Sequence, residues 1–455
     1  MEEDEEYPWN RHSLPIHILA GAMQVNEDCS SEEEEEDYQW KVLQMAALAV
    51  GGAEAERANR LERRKKHRLY LQRHDLLKNP RGSTPWQKLY HGQNDRAFNT
   101  TMGFDIATFN ILMNEFAPVW NTNPIPREDT RAGGVPRIDR RSLDAAGALG
   151  LTLHYLNSTM SQITLQQVFA LVPATLSRYL NFSLQILHRV TGDIPEAKIR
   201  WPTAEEMEEF TKIIGERHPV LIIWINGTAY GAFGSINGLK LPTASADDSE
   251  WQNATFNGWL HSNVTNCVIA YSPRGDIIAC RLNAPGSWHD SRVAQPIYQK
   301  LRERTPDGYF LVADTAFPRG TEQIDKKIKA PIKSGQRLPS DRTELENLLR
   351  LKRQLLSYRQ TAEWGMHALQ GSFRRLRMPL DANDTAARQR LLETCVRLFQ
   401  LRTRLVGINQ IRNVYEPIWK EAEGEDLWNG FEGMVYGEVM RRDRVSRFHI
   451  TAVEQ

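Results

Sequence analysis

The stretch VTNCVIAYSPRGDIIACRL, residues 264–282, decides the fold class of this chain. Val264–Tyr271 and Ile277–Leu282 are apolar runs rich in β-branched residues, and both have the length of a buried strand. Ser272–Asp276 between them contains Pro, Gly and Asp, which favour a tight turn. The sequence therefore predicts a β-hairpin, around which the rest of a sheet has to be found.

Further strand-like runs lie on both sides of this hairpin. Leu221–Ile225 and Ala232–Ile236 precede it, and Gly308–Ala313 follows it after a predicted helix over Ser291–Arg304. Beyond Arg342 the pattern is mostly helical. Strands, a hairpin, a helix, a strand and then helices is the order of a ribonuclease-H-like α/β domain, with a mixed sheet between flanking helices.

An all-helical segment, residues 139–190, precedes the predicted sheet. Its second helix is predicted over Thr164–Leu171, and its third begins at Pro173, a residue tolerated in the first turn of a helix. Two short helices and a tight turn before a helix bearing Ser, Thr and Arg are typical of a helix-turn-helix DNA-binding unit. A plain helical bundle gives the same pattern, so both interpretations stay open. Arg178 is the candidate DNA contact in this segment.

The formal net charge of zero conceals a strong asymmetry along the 455 residues. Residues 1–37 contain 13 acidic side chains and one arginine, so the remaining 418 residues carry a net charge of +12. A basic body behind an acidic tail is compatible with a nucleic-acid partner. Residues 54–73 predict a basic helix, whose Arg63–Arg68 block suits nuclear import, phosphate contact or a solvated helix face.

The chain starts with acidic residues, unlike a signal peptide, and its apolar runs are too short to span a bilayer. The four cysteines show no metal-ligand spacing, so we expect reduced thiols and a nuclear or cytosolic protein. We predict five segments: an acidic disordered tail (1–53), a basic helix and linker region (54–138), a helix-turn-helix-like segment (139–200), a nuclease-like domain (201–380) and a C-terminal helical region (381–455).

Three acidic residues stand out in the second half of the chain. Asp314 ends an apolar run, Glu363 lies in a helix-like stretch, and Asp290 precedes a predicted helix. Carboxylates brought from a strand end and a helix to one point suit two divalent cations about 4 Å apart, which can activate water and stabilise a leaving oxygen. Asp290 is either such an acid or the N-cap of its helix, and the two roles are compatible. His289 is better suited to hydrogen bonding than to Mg²⁺.

Four motifs in the right order give the chain a family resemblance. They are Ile236-Asn237-Gly238, Gly286–Ser291, Val312-Ala313-Asp314 before Phe317-Pro318, and Glu363 before Gly371-Ser372-Phe373. Together they resemble the DDE nuclease domain of PIF/Harbinger-type transposases, and more narrowly transposase-derived proteins of fungal genomes. The resemblance covers roughly residues 201–380. It implies DNA strand cleavage and joining that depend on Mg²⁺ or Mn²⁺, and a separately encoded Myb-like partner is usual in that family.

The resemblance also assigns roles to the acidic positions. Asp314 and Glu363 become the second and third metal ligands, and Asp290 a further candidate. The first ligand of the family is an aspartate, but the matching position here is Asn237. Asn226 marks a second possible register and is also an amide, while Asp247 or Asp248 could substitute for the missing acid. An amide oxygen adds no charge to a dication pair, so we expect cleavage to be slower by roughly three decades.

Two hypotheses of different classes follow from these residues. One is a DDE-type endonuclease, impaired at Asn237, and the other is a catalytically inactive DNA-binding or protein-interaction module of the same fold. An unrelated helical interaction protein is a third and weaker reading. DNA is the expected partner in the first two, and the sequence leaves the oligomeric state open. The candidate DNA contacts are Arg178, Arg292, Arg374 and Arg375.

Overall fold

The computed structural model describes residues 32–66, 70–127, 134–317, 324, 326–332 and 339–415. The chain divides into two compact units, residues 1–70 and 71–455. The first unit contains one long helix, α1 (Glu32–Lys66). The structure thus describes a helix from Glu32 onward, where the sequence analysis predicts disorder through residue 53. Acidic residues at the start of α1, alanine and leucine in its middle and basic residues at its end suit the helix dipole and helix propensity.

The predicted basic helix is the second half of α1, although the Arg63–Arg68 side chains lie outside the described residues. The second unit begins with a layer of six helices. In chain order they are α2 (Pro85–Gly92), α3 (Asp95–Met102), α4 (Ile106–Thr122), α5 (Ala145–Asn157), α6 (Gln162–Phe169) and α7 (Pro173–Asp193). A turn of three residues joins α6 to α7, and Ala170 in it has a positive φ of 52°. That turn length is the one expected of a helix-turn-helix.

A mixed β-sheet follows helix α8 (Ala204–Arg217). Its strands are β1 (Ile222–Ile225), β2 (Thr228–Pro242), β3 (Phe256–Asn257), β4 (Ser262–Tyr271), β5 (Ile277–Pro285), β6 (Phe310–Ala313) and β7 (Ile328–Lys329). The main order is β5-β4-β2-β6-β7. The β2–β4 and β4–β5 pairs are antiparallel, whereas β6 and β7 are parallel to β2. The predicted α/β class, the hairpin and the ribonuclease-H-like sheet are confirmed.

Helices cover both faces of this sheet. One face packs on α8, α10 (Asp290–Val293) and α11 (Gln295–Arg304), through a core that includes Ile236 and Val268. The other face packs on α12 (Arg342–Ser372) and on the helical layer. The remaining helices are α9 (Ser249–Thr255), α13 (Thr385–Leu401) and α14 (Gln410–Tyr415). Beyond the register shift between Ala232 and Gly234, alternate β2 residues point to opposite faces, so odd-numbered and even-numbered side chains lie on different sides of the sheet.

The predicted helix over residues 291–304 is broken into α10 and α11. Pro296 lies in the first turn of α11, where its missing N–H costs no hydrogen bond, so the chain restarts a helix there. Cys267, Cys280 and Cys395 are free thiols, as expected for reduced cysteines. Within the described residues, no helix has both the length and the apolar character needed to cross a membrane.

Candidate active site

Asn237 and Asp314 lie side by side on neighbouring parallel strands. Ile236 on β2 is in register with Ala313, the last residue of β6, so Asn237 on β2 and Asp314, just after β6, come next at the same level. Leu239 and Val312 belong to the core on the α12 side, which gives Asn237 and Asp314 the same face by alternation. The strand carrying Asn237 therefore adjoins the strand that ends at Asp314, as the motif order predicts.

Helix α12 brings Glu363 to this same face. Tyr358 and Ala362 of α12 are buried against the sheet. The hydroxyl oxygens of Thr361 and of Ser235 on β2 are 2.6 Å apart, so the two groups share a hydrogen bond. The Thr361 hydroxyl also donates to the Tyr358 carbonyl at 2.7 Å, so its proton is used and Ser235 is the donor. This buried contact, two residues before Asn237, fixes the rotation of α12 and places Glu363 near the end of β6.

Arg359 joins the two carboxylates. Its Nη1 lies 2.9 Å from Glu363 Oε1 and 3.5 Å from Asp314 Oδ2. Because both distances end on one nitrogen, the two carboxylate oxygens are separated by no more than the two lengths combined. The structure therefore brings Asp314 and Glu363 together in one cleft. The sequence reasoning assigned no role to Arg359, although its position four residues before Glu363 is the spacing of a helical ion pair.

The alternative register at Asn226 places that residue elsewhere. Asn226 and Gly227 form the two-residue turn between β1 and β2, with φ values of 50° and 82°. Positive φ at both positions is what a type I′ hairpin turn requires, and Asn-Gly is its preferred pair. Strand β1 pairs with β2 and presents exposed side chains, including Ile223 and Trp224. Asn226 is therefore a turn residue, and Asn237 is the amide beside Asp314.

Asp290 is not part of the Asp314–Glu363 cleft, which corrects the expectation that it joins the metal ligands. Its carboxylate accepts hydrogen bonds from Lys240 Nζ at 3.3 Å and Asn266 Nδ2 at 2.8 Å. A Cβ added to Gly238 would lie 2.5 Å from Asp290 Oδ2. Gly238 points to the opposite face from Asn237, so the sheet separates Asp290 from Glu363. The helix cap is His289, whose Nδ1 accepts from Ser291 N, and Asp290 is the first helical residue.

Neither acid after β2 replaces the missing carboxylate. Asp248 caps α9, where its Oδ1 accepts from Glu250 N at 2.7 Å. Asp247 accepts from Asn383 Nδ2 at 2.8 Å. Both side chains are thus held in the loop and helix beyond the end of β2. Asn237 itself is half-buried, and its Oδ1 accepts from the backbone N of Gly238 at 2.8 Å.

The four candidate DNA-binding arginines lie on separate elements. Arg178 is exposed on α7, and Arg292 is exposed on α10, where its guanidinium stacks 4.0 Å from the Trp288 ring. Arg374 and Arg375 follow directly after α12. Arg375 stacks on Tyr155 of α5 at 4.5 Å, while Arg374 is exposed. Of the four, only Arg374 and Arg375 are adjacent, so their shared use as one DNA surface stays a prediction.

Lys329 is a second cation on the α12 face that the sequence reasoning missed. Lys329 lies on β7 and pairs with Val312 of β6, and Val312 is two residues before Asp314. The Lys329 Nζ lies 4.0 Å from the centre of the Phe310 ring. Burial lowers the pKa of this ammonium from its usual value. The ring face offsets part of the lost hydration of the charged form. A single lysine next to an apolar strand carried no signal in the sequence.

The side-chain oxygens of Asn237, Asp314 and Glu363 do not make a suitable ligand set for two divalent cations. Hard divalent cations take several oxygen ligands, but the cleft offers two carboxylates that a guanidinium already bridges. The third position is a neutral amide whose oxygen accepts from a backbone N–H. Within the described part of the chain, no group of three or more His, Cys, Asp or Glu side chains could hold a metal ion.

Residues 236–400 match the family model described as DDE superfamily endonuclease. This range begins one residue before Asn237 and includes Asp314, Glu363 and most of α13. The match supports the DDE superfamily for this part of the chain, and it agrees with the ribonuclease-H-like strand order. Comparison with curated proteins and with solved structures gave no match.

Proposed function

We propose that the chain is a transposase-derived DDE-type protein of the PIF/Harbinger kind that binds DNA and has strongly weakened metal-dependent strand cleavage. The position of Asn237 carries this proposal. It stands beside Asp314, on the face that Glu363 occupies, where a DDE site has its first acid. The fold and two acids are thus retained, while the third acid is an amide.

The expected loss of activity follows from the chemistry of phosphodiester cleavage. DDE endonucleases use divalent cations, which activate water and stabilise the leaving oxygen while carboxylates balance their charge. With Asn237, the three positions supply two negative charges instead of three, and Arg359 offsets one of these. Losing several kcal/mol of charge stabilisation slows the chemical step by roughly three decades or more.

DNA binding is supported by the charge of the body and by the helical layer. Residues 38–455 carry a net charge of +12, which favours a polyanionic partner. The α6–α7 pair has the length and turn of a helix-turn-helix, and Arg178 is exposed on its second helix. A nuclear location and a separately encoded Myb-like partner belong to this same proposal through the family resemblance.

Nicking of supercoiled plasmid in Mg²⁺ or Mn²⁺ tests the catalytic part. We expect little or no cleavage by the wild type and a measurable gain, about tenfold or more, for Asn237→Asp, because the new carboxylate adds charge at nearly unchanged shape. Adding Asp314→Ala to that variant should abolish the gain. Asn226→Asp is the matched control and should change nothing, because Asn226 lies in the hairpin turn. Robust wild-type nicking that survives Asp314→Ala would contradict the proposal.

A further inference from the structure

The Asp314–Glu363 pair already holds a cation that belongs to the protein. The Arg359 side chain is 21% exposed, whereas the side chains of Asp314 and Glu363 are 40% and 41% exposed. The guanidinium therefore contacts the acids from the protein side of the cleft. Its Nε is also buried and has no hydrogen-bond partner among the described residues, whereas its Nη1 contacts both carboxylates.

The backbone fixes this arrangement, because Arg359 and Glu363 are one turn apart in the same helix. Thr361 lies between them and is hydrogen bonded to Ser235 on β2 at 2.6 Å. Gly365, two residues after Glu363, packs directly on the Tyr271 ring. A Cβ at this position would lie 2.6 Å from Cζ of that ring. Two close contacts therefore set the height and rotation of α12, and the guanidinium is delivered to the end of β6 by helix packing.

The guanidinium is a cation supplied by the protein itself. Arg359 contributes one positive charge to the two carboxylates that it contacts. Together, Arg359, the carboxylates of Asp314 and Glu363 and the neutral Asn237 carry one net negative charge. A divalent cation entering the cleft would have to displace the guanidinium or approach it closely, and both cost electrostatic free energy.

We infer that Arg359 is the resident cation of the acid pair: its guanidinium takes the place of a divalent metal, holds Asp314 and Glu363 together without one, and lowers the affinity of the cleft for Mg²⁺ and Mn²⁺. This inference deepens the proposed function and rests on the same pair of acids. It adds a second cause of weak cleavage to the missing carboxylate. It also assigns Arg359 a positioning role, since it acts through the two acids.

Mn²⁺ binding and thermal unfolding of the full chain test the inference without DNA. The proteins are the wild type, Arg359→Gln, Asn237→Asp and the double variant, measured by titration calorimetry and by circular dichroism. We expect no measurable Mn²⁺ binding and no metal-dependent shift in Tm for the wild type. Asn237→Asp should bind weakly, and the double variant more tightly by up to about fivefold, because a single competing ion pair of this exposure is worth at most about that factor.

The metal-free Tm supplies the second readout. Arg359→Gln should unfold at a lower temperature than the wild type, because the two acids are left facing each other, and Mn²⁺ should raise the Tm of the double variant. Arg353→Gln, at an exposed position of the same helix, is the matched control and should alter neither readout. If Arg359→Gln does not fold, Arg359→Lys in the Asn237→Asp background keeps the positive charge and should bind Mn²⁺ no more tightly than Asn237→Asp/Arg353→Gln, and tighter binding would contradict the inference.

Two results would overturn the inference. One is wild-type Mn²⁺ binding that Asp314→Asn abolishes and Arg359→Gln leaves unchanged. The other is an Arg359→Gln protein with wild-type Tm and the metal affinity of its parent in both backgrounds. Neither result touches DNA binding or the effect of Asn237→Asp on nicking. Failure of this inference is therefore distinguishable from failure of the proposed function.

Discussion

Single side chains around α12 explain why the cleft keeps its shape although Asn237 is not an acid. Ser235, Thr361 and Tyr358 form a buried chain of hydrogen bonds that joins β2 to the helix. None of these hydrogen bonds involves the side chain of residue 237. The position of Glu363 is therefore set by packing, while the charge of the cleft is set by Asn237 and Arg359. Geometry and charge can change separately at this site.

His218 gives a prediction at the same scale. It is buried at the end of α8, where its Nε2 lies 2.9 Å from Tyr415 Oη and its ring packs edge-on against Tyr358. Burial, with a smaller contribution from the charge of Arg217, lowers its pKa to about 4. The folded protein therefore holds a neutral imidazole at a pH where the unfolded chain, with a pKa near 6.5, is protonated.

The sign of the pH dependence follows. Between about pH 6.5 and pH 4 the unfolded state binds the extra proton, so the free energy of unfolding should fall as the pH falls through this window, by on the order of 3 kcal/mol. His218→Gln should be less stable than the wild type at pH 7 and should lose most of this dependence. Urea unfolding at several pH values measures it. Burial also lowers the pKa of His154, so a smaller slope of the same sign should remain.

At the scale of elements, α12 is positioned by a glycine that cannot be enlarged. A Cβ on Gly365 would lie 2.6 Å from Cζ of the fully buried Tyr271 ring on β4. We expect Gly365→Ala to destabilise the protein by about 1–3 kcal/mol through overpacking, although alanine is the better helix former. Gly371→Ala, in the same helix, is the control, because its Cβ would meet only Arg377 Nη2 at 3.8 Å. Equal unfolding midpoints for the two variants would contradict this account.

The elements also show what the sequence could predict. Apolar runs and turn residues were sufficient for the hairpin and for the β6 strand, and the motif order was sufficient for the adjacency of the strands that carry Asn237 and lead to Asp314. The face occupied by Asp290 was not predictable, because a shift of one residue in register exchanges the two faces of a strand. The Asn226-Gly227 turn was missed although Asn-Gly is a strong hairpin signal. Asn226 was instead interpreted as a possible position of the first metal ligand.

Side-chain partners were less predictable than elements. The spacing of Arg359 and Glu363 was visible, but the same spacing occurs in many solvent-exposed helical ion pairs. Arg359 and Asp314 are distant in sequence, and their contact is what places the arginine in the cleft. A contact between such distant residues is not visible in the sequence. The first half of helix α1 was missed for a different reason. A run of like charges argued for disorder, while the helix formers after it and the basic residues at its end favour a helix.

At the scale of the whole molecule, the charge distribution predicts how DNA binding should depend on salt. Residues 38–455 carry a net charge of +12 and residues 1–37 carry −12, so we expect the acidic segment to compete with DNA phosphates for basic side chains. We expect full-length protein to bind duplex DNA with an affinity that falls as salt rises, because each neutralised phosphate releases condensed counterions. Arg178→Ala should reduce the slope of log affinity against log salt by about one.

Deletion of residues 1–37 should then strengthen DNA binding at low salt, because the deletion removes an intramolecular polyanion that competes with phosphate. The gain should shrink as salt screens the charges over distances beyond about 10 Å. A matched variant, in which the acidic residues of this segment are replaced by glutamine and asparagine at unchanged length, separates charge from chain length. It should bind as tightly as the deletion. Fluorescence anisotropy with a labelled duplex at low and moderate salt measures all three proteins, and equal affinities throughout would show that the acidic segment does not compete with DNA.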